Sequence, residues 1–430
     1  ADPKEKIQIL FAEQKQTAKA DAKGYWEVNL KALEAGGPYQ LQITGKDNQI
    51  SIKDILIGDV WLCSGQSNMQ WVVNNVTNAE VEKKNANYSQ IRTLNIPRRM
   101  ELSPKDTIST TWLVCSPETV GRFSGVAYFF ARKVYEETNI PIGIINSSWG
   151  GTIVETWTSL EAANTLPQKR LDRYNKNEKL SPPTEYFTRT NKEAKRNDYP
   201  SLVYNAMIHP LLSFAIKGVV WYQGENNVGN AEPYTDWLTC MISDWRNRWN
   251  SELPFYIIQL PNFDSTNKTP LWAEIRDAQR KVLTVPKTHL IVTSDLGDPH
   301  DLHPRNKQEV GMRVALQVLH HEYGRPDIVS ESPMFERMEI NGDKIIITFK
   351  NTGSGLEIRS RYGCLQGFTI AGEDKKFYWA QGELKDNRIV IWNPKVPNPI
   401  AVRYNWENNP DGNLYNKDGL PACLFRTDNW

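Results

Sequence analysis

The sequence predicts an α/β protein: a mostly parallel sheet covered by helices on both faces, with a β-rich module at each end of the chain. Three observations predict it. Short apolar runs alternate with stretches of helical spacing from about residue 58 to Tyr323. The first 57 residues hold short strands and turn signals with no helical period, and the same pattern returns after Ser330. At 430 residues the chain is long for one domain. The expected division is a β-sandwich module over 1–57, an α/β domain over 58–328 and a second β-sandwich module over 329–430.

In the first module the strands are Ile7–Phe11, Tyr25–Leu30, Tyr39–Thr44 and Ile50–Ile57, parted by Ala22-Lys23-Gly24 and Gly36-Gly37-Pro38. In the second, Ile55–Cys63 is an apolar run suited to a buried strand. Val126, Phe129, Phe130 and Val134 keep helical spacing, and Pro141–Asn146 and Ala215–Tyr222 read as further buried strands. Tyr234, Trp237, Leu238, Met241, Ile242, Trp245 and Trp249 mark an amphipathic helix. Phe255–Leu260 and Thr288–Ser294 complete the strands, and Pro304 opens a last helix reaching Tyr323. Between Pro167 and Pro200 the chain is strongly polar, which reads as a solvated excursion or lid. The last module carries strands at Lys344–Phe349, Gly367–Ile370, Arg388–Trp392 and Ile400–Tyr404.

Composition excludes several functions. Fifty-one basic against 50 acidic side chains leave a net charge of +1, too balanced for a nucleic-acid or anionic-membrane partner. No apolar run is long enough to span a bilayer. The five cysteines (63, 115, 240, 364, 423) form no metal-ligand cluster, although a disulfide such as Cys364–Cys423 is compatible with their positions.

Four segments carry the chemistry, each at the end of an expected strand, where open sheets bind ligands. In Gly65-Gln66-Ser67-Asn68-Met69 a serine sits in a tight strand-to-helix turn, its hydroxyl beside backbone N–H groups able to hold an oxyanion. The same serine also suits a helix N-cap. Met69 stands where an α/β-hydrolase elbow has glycine, so the framework is a different one. Trp149-Gly150-Gly151-Thr152 follows the next strand, and its paired glycines permit close backbone approach to a substrate. Trp221-Tyr222-Gln223-Gly224-Glu225-Asn226-Asn227 supplies polar side chains, including an amide donor. The fourth is Asp295-Leu296-Gly297-Asp298-Pro299-His300-Asp301-Leu302-His303-Pro304, which holds two of the six histidines among three aspartates. A histidine near carboxylates acts as a general base toward a serine hydroxyl. A metal is the lesser reading of this cluster, since no partner ligands are evident elsewhere. His209 reads as a packed structural residue; His289, His320 and His321 read as strand or helix-surface residues.

Together these segments, with Gly58–Met69, Ala401–Trp406 and Phe425–Trp430, resemble the SGNH hydrolases and more narrowly the sialate O-acetylesterase family. The resemblance covers essentially the whole chain. It implies a flavodoxin-like three-layer α/β/α domain with flanking β-sandwich modules, and a serine esterase that removes O-acetyl groups from sialic acids through an acetyl-enzyme. By resemblance Ser67 is the nucleophile and His303 the base, while the N–H groups of Ser67 and Gly151 and the Gln223 side chain form the oxyanion hole. Gln66, Asn68, Trp149, Glu225 and Asn226 are the expected substrate contacts. No metal or organic cofactor is implied.

The sequence departs from the pattern in two places. SGNH enzymes commonly carry Asp three residues before the histidine, but His300 stands there, so Asp301 is the candidate orienting acid. Asp295, Asp298 or a backbone carbonyl are the alternatives. Relatives also carry further strands upstream of Lys6, so the first module is expected to lack its start unless a separate segment completes it. Arg305 or a basic residue of the 167–200 excursion is the expected partner of a sialate carboxylate. Deacetylation of xylan or another polysaccharide uses the same chemistry, and a carbohydrate-binding protein is the reading from another class. The resemblance implies an extracytoplasmic compartment.

Overall fold

The computed structural model describes residues 1–176, 178–180, 199–264 and 269–430. Most of the polar excursion expected between Pro167 and Pro200 lies outside the described residues.

A four-stranded antiparallel sheet begins the chain: β1 (Lys6–Phe11), β2 (Gln14–Lys19), β3 (Gly36–Thr44) and β4 (Gln49–Ile57), in the order β2-β1-β3-β4. The polar strand β2 has no apolar pattern to reveal it. Tyr25–Leu30 is not a strand; it crosses the sheet, where Trp26, Val28 and Leu30 cover Ile7 and Ile9. Register puts Ile9, Ile43 and Ile50 on one line across the sheet, and Phe11, Leu41 and Ile52 on the next. Cover thins along both lines. Ile9 and Phe11 are buried, Leu41 and Ile43 half-buried, and Ile50 and Ile52 exposed.

The expected Ile55–Cys63 strand is two strands. Gly58 ends β4 and β5 (Asp59–Gly65) begins a new sheet, because a side chain at Gly58 would strike the Pro141 carbonyl oxygen at 2.1 Å. The central sheet adds β6 (Tyr88–Asn95), β7 (Trp112–Cys115), β8 (Ile142–Ser148), β9 (Gly218–Tyr222), β10 (Phe255–Ile258) and β11 (Thr288–Ile291). Its order is β11-β10-β9-β5-β8-β6-β7, parallel except for β7 at the edge. The first strand therefore stands between β8 and β9, and the crevice of the sheet opens at its carboxyl end.

Helices α1 (Ser67–Gln70), α2 (Gly125–Thr138), α3 (Ala231–Trp249), α4 (Leu271–Lys281) and α5 (Lys307–Glu322) cover both faces. Successive residues of β10 point to opposite sides. Phe255 packs on Trp245 of α3, while Tyr256 packs on Trp61, which packs on Phe130 of α2. Tyr256 also donates to Glu322 of α5 at 3.1 Å. The expected α/β/α layering is therefore present. The last helix starts three residues later than expected. Asn306 rather than Pro304 begins it, its side chain accepting the Glu309 N–H at 3.2 Å.

All four strands expected near the C-terminus form. One sheet joins Met334–Asn341, Lys344–Lys350, Arg388–Trp392 and Gln381–Lys385; another joins Phe377–Trp379, Phe368–Ala371, Ala401–Tyr404 and Phe425–Arg426. They enclose their own cluster, including Ile345, Ile347, Phe368, Ile391 and Phe425. The disulfide expectation fails: all five cysteines are free, with Cys364 exposed and Cys423 buried beside Gln259. Among the described residues no helix is long and apolar enough to cross a membrane.

Candidate active site

Strand pairing assembles the site. Gly65, the last residue of β5, pairs with Ser148 of β8 on one side and Tyr222 of β9 on the other. A side chain at Gly65 would meet the Tyr222 carbonyl oxygen at 2.1 Å, and its φ of +134° lies where side chains are strained. Only glycine lets the chain turn there into α1, which opens on Ser67. The three segments after β5, β8 and β9 thus leave the sheet side by side.

The Trp149–Thr152 turn folds over the serine. Gly65 O accepts the Trp149 N–H at 3.0 Å and the Gln70 side chain accepts that of Gly150 at 2.8 Å. A Cβ at Gly150 would lie 3.1 Å from the Ser67 Cβ. Asn226 donates to the Gly151 carbonyl from the other side. Among the described residues the backbone N–H groups of Ser67 and Gly151 make no hydrogen bond. Ser67 and Trp149 are half-buried; Gly151 and Asn226 are exposed.

His303 reaches the same place from the loop after β11. Asn68, beside Ser67, donates to the carbonyl of Leu302, beside His303, at 3.1 Å. Trp71, one helical turn beyond Ser67, stacks on the His303 ring with centroids 4.8 Å apart and planes inclined by 9°. Thr77 N donates to Arg305 O at 3.0 Å. These ties bring the serine turn and the histidine loop against one another. Burial and the Lys307 cation hold the His303 pKa below its ordinary value, opposed by the Asp301 carboxylate. The imidazole is thereby biased to the neutral form a base requires.

No carboxylate hydrogen-bonds the His303 ring among the described residues. Asp301 uses Oδ1 to accept the His303 backbone N–H at 2.8 Å, which shapes the loop. Asp298 does the same for His300, also at 2.8 Å. Asp295 is held by Arg313 in a bidentate pair at 2.7 and 2.8 Å and by the Tyr415 hydroxyl. No metal-binding group forms in this loop among the described residues.

Four of the expected side chains are engaged within the fold. Gln223 is fully buried, and its amide nitrogen is already shared among Gln66 Oε1, Thr152 O and Asn227 Oδ1 at 3.2, 3.0 and 2.7 Å. These bonds brace the turns. Gln66 points inward as well, accepting from Gln223 and from the Gly224 and Asn226 N–H groups. Asn68 and Glu225 are buried against each other at 2.5 Å. Trp149 and Asn226 remain on the open side.

One functional residue escaped the sequence. Lys307, the first residue of α5, is fully buried and donates to Asn68 Oδ1 at 2.5 Å, over the Tyr222 ring at 5.5 Å. Burial pushes its pKa down to about 7, with Glu225 opposing, while burial pushes the Glu225 carboxyl up. Nothing in a lone lysine after an asparagine signals such a position. Trp71 was readable only as one aromatic residue among many.

The chain is similar to known carbohydrate esterases. A family model described as "Carbohydrate esterase, sialic acid-specific acetylesterase" matches residues 57–320. The sialate O-acetylesterase of Pongo abelii is 33% identical over 355 residues, 74% of this chain and 64% of that protein. The mouse enzyme of that name is 29% identical over 446 residues, 92% of this chain and 82% of its own. The matches to the Pongo abelii and human proteins thus span 64% of those proteins' length. The crystal structure of a carbohydrate acetylesterase from Xanthomonas citri superposes with a TM-score of 0.90 at 37% identity, covering 100% of this chain and 94% of the other. With its matched region running from the start of the central sheet to the last helix, the chain belongs to the sialic acid-specific acetylesterase family of carbohydrate esterases.

Proposed function

We propose that this protein is a serine esterase that hydrolyses O-acetyl esters of sialic acids. The observation that carries the reading is the convergence of Ser67, His303 and the uncommitted N–H groups of Ser67 and Gly151 at the crevice between β8 and β9. In the reaction the Ser67 hydroxyl oxygen attacks the acetyl carbonyl carbon as an imidazole nitrogen of His303 takes its proton. The two N–H groups stabilise the oxyanion. The intermediate collapses, the sugar oxygen leaves with the proton from His303, and the acetyl group stays on Ser67. Water then attacks, giving its proton to His303, and acetate departs as Ser67 regains its hydrogen.

The working pair is Ser67 and His303, with Asp301 acting through the loop and through space. Residues 58–328 form the catalytic domain in this reading, and 1–57 and 329–430 the flanking β-sandwich modules. Exposed Arg305, two residues beyond His303, is the described candidate for a sialate carboxylate. The apolar face left open at Ile50 and Ile52 suits a further segment packing on the first sheet. An extracytoplasmic compartment fits a glycan substrate.

A second reading, a broader carbohydrate acetylesterase, is favoured by the whole-chain similarity to the Xanthomonas citri enzyme. Acetate release from 9-O-acetyl-N-acetylneuraminic acid and from acetylated xylan, with wild type and Ser67→Ala in parallel, decides between them. Release from the sialate alone, lost in the variant, is the expected result. Release from xylan alone moves the substrate but keeps Ser67. Release from neither leaves a carbohydrate-binding protein.

A further inference from the structure

A second cluster of chemically competent side chains lies at the other end of the sheet. His289 is the second residue of β11, at the amino edge of the sheet and so opposite the carboxyl edge that carries Ser67. His321 lies in the last turn of α5, fourteen residues beyond Lys307, or about 21 Å along the helix axis. Glu331 comes from the segment joining that helix to the strand Met334–Asn341. The two imidazole centroids are 4.0 Å apart, and His321 Nε2 lies 3.4 Å from Glu331 Oε1. One donor atom from each of the three residues falls within 4.8 Å of the others.

We propose that His289, His321 and Glu331 form a binding site for a divalent transition-metal ion, with zinc the best match to two imidazoles and one carboxylate. A tetrahedral zinc ion with bonds of about 2.1 Å holds its donors about 3.4 Å apart. The set reaches that spacing by small rotations of His321 and Glu331, both partly solvent-exposed; water fills the fourth position. His289 is fixed in advance by stacking on Tyr256, centroids 4.9 Å apart and planes 15° from parallel.

The surrounding charged and titratable groups are Glu331, Glu322, the His320 ring, the Tyr256 hydroxyl and the Arg246 guanidinium. Arg246 is turned toward the carbonyls of Leu253 and Lys287 at 2.8 and 3.0 Å. His320 Nδ1 is engaged with Ile328 O at 2.9 Å, which holds the segment leading to Glu331. Far from the crevice, the ion clips β11, α5 and the connection to the C-terminal sheets together. Its role is structural, and it does not rest on the esterase reading.

The test is calorimetric titration of the chelator-treated, tag-free full chain with zinc chloride, repeated with His289→Gln, His321→Gln, Glu331→Gln and the double histidine variant. The expected result is saturable uptake of one equivalent in the micromolar range or tighter, with a zinc-dependent rise in melting temperature. Each single substitution weakens uptake by more than about 10-fold, and the double variant loses both uptake and the melting shift. Ser67→Ala keeps zinc uptake, so failure of this site and failure of the esterase reading are told apart. Absence of saturable uptake overturns the proposal, and so does uptake retained by the double variant, which would put zinc elsewhere, for example at His300 and His303. If the double variant does not fold, anomalous scattering from zinc-soaked wild-type crystals decides: a peak among the three side chains supports the site, and none there overturns it.

Discussion

The Trp71 indole lies flat on the His303 imidazole, with ring centroids 4.8 Å apart and planes 9° from parallel. Trp71 follows Ser67 by one turn of helix, so the residue that covers the proposed base rides on the element that presents the proposed nucleophile. An aromatic contact of this kind contributes about 0.5–1.5 kcal/mol beyond its buried area.

Trp71→Ala removes that stack and admits water to the ring. Burial is the first cause of the low His303 pKa, so the acid limb of the kcat/KM profile moves up in pH toward the ordinary histidine value. The reaction needs neutral His303, and activity on the acid side falls. Trp71→Phe keeps a stacked ring and most of the profile. A pH–rate series on the three proteins checks this; an unmoved acid limb in Trp71→Ala would sink the idea.

Asp301 accepts a backbone N–H rather than the ring proton. Asp301→Asn keeps an acceptor at that atom and loses only the through-space charge, so kcat falls less than about 10-fold, against the roughly 10⁴-fold loss of a triad whose aspartate holds the ring. Steady-state kinetics on the sialate ester separate the two. A 10⁴-fold loss would restore Asp301 to direct contact with the imidazole.

Gly150→Ala is a steric probe of the nucleophile. The added methyl lies 3.1 Å from the Ser67 Cβ and 3.4 Å from Gln70 Oε1, and position 150 has no left-handed backbone to strain. The expected outcome is a melting temperature within a few degrees of wild type and a kcat/KM lowered by about 10-fold or more, since small displacements of reacting groups are costly. Kinetics alongside calorimetry read both quantities.

Lys307 ties pH to stability. Its folded pKa of about 7 lies below the usual 10.5, so between those values the unfolded chain binds more protons than the folded one. This group therefore makes stability rise with pH from about 7 to 10.5. Lys307→Met abolishes that part of the slope and leaves Asn68 Oδ1 without its donor. Urea unfolding at pH 7 and pH 9.5 gives the two slopes; equal slopes in wild type and variant would refute the assignment.

Much of this was legible in the sequence because burial and periodicity coincide. β9 is apolar throughout and β8 opens on the apolar run Ile142–Ile145, and α3 carries its seven aromatic and aliphatic positions at helical spacing. The helix α4 was not legible. Its buried face mixes Trp272, Ala273, Ile275 and Ala278 with Arg276, Asp277 and Gln279, which bond to the Glu407, Asn408 and Ile258 carbonyls and to Arg280. The site divides the same way. Ser67, Gly151 and His303 follow strand ends that hydropathy marks, whereas the direction of a side chain depends on partners far along the chain. Gln66 and Asn68 flank Ser67, and Gln223 and Glu225 follow the end of β9, yet each turns inward to a partner that only the fold supplies.

The bond from Asn68 to Leu302 spans 234 residues. Closing so long a loop costs entropy that local contacts cannot offset, and nonlocal pairings form slowly. Ser67, Gly151 and His303 follow β5, β8 and β11, so a chain lacking any one of these strands holds an incomplete set. During refolding, helical signal therefore recovers before acetate release does. On the proposed reading catalysis becomes the last observable to return, and activity reports on the completion of the fold.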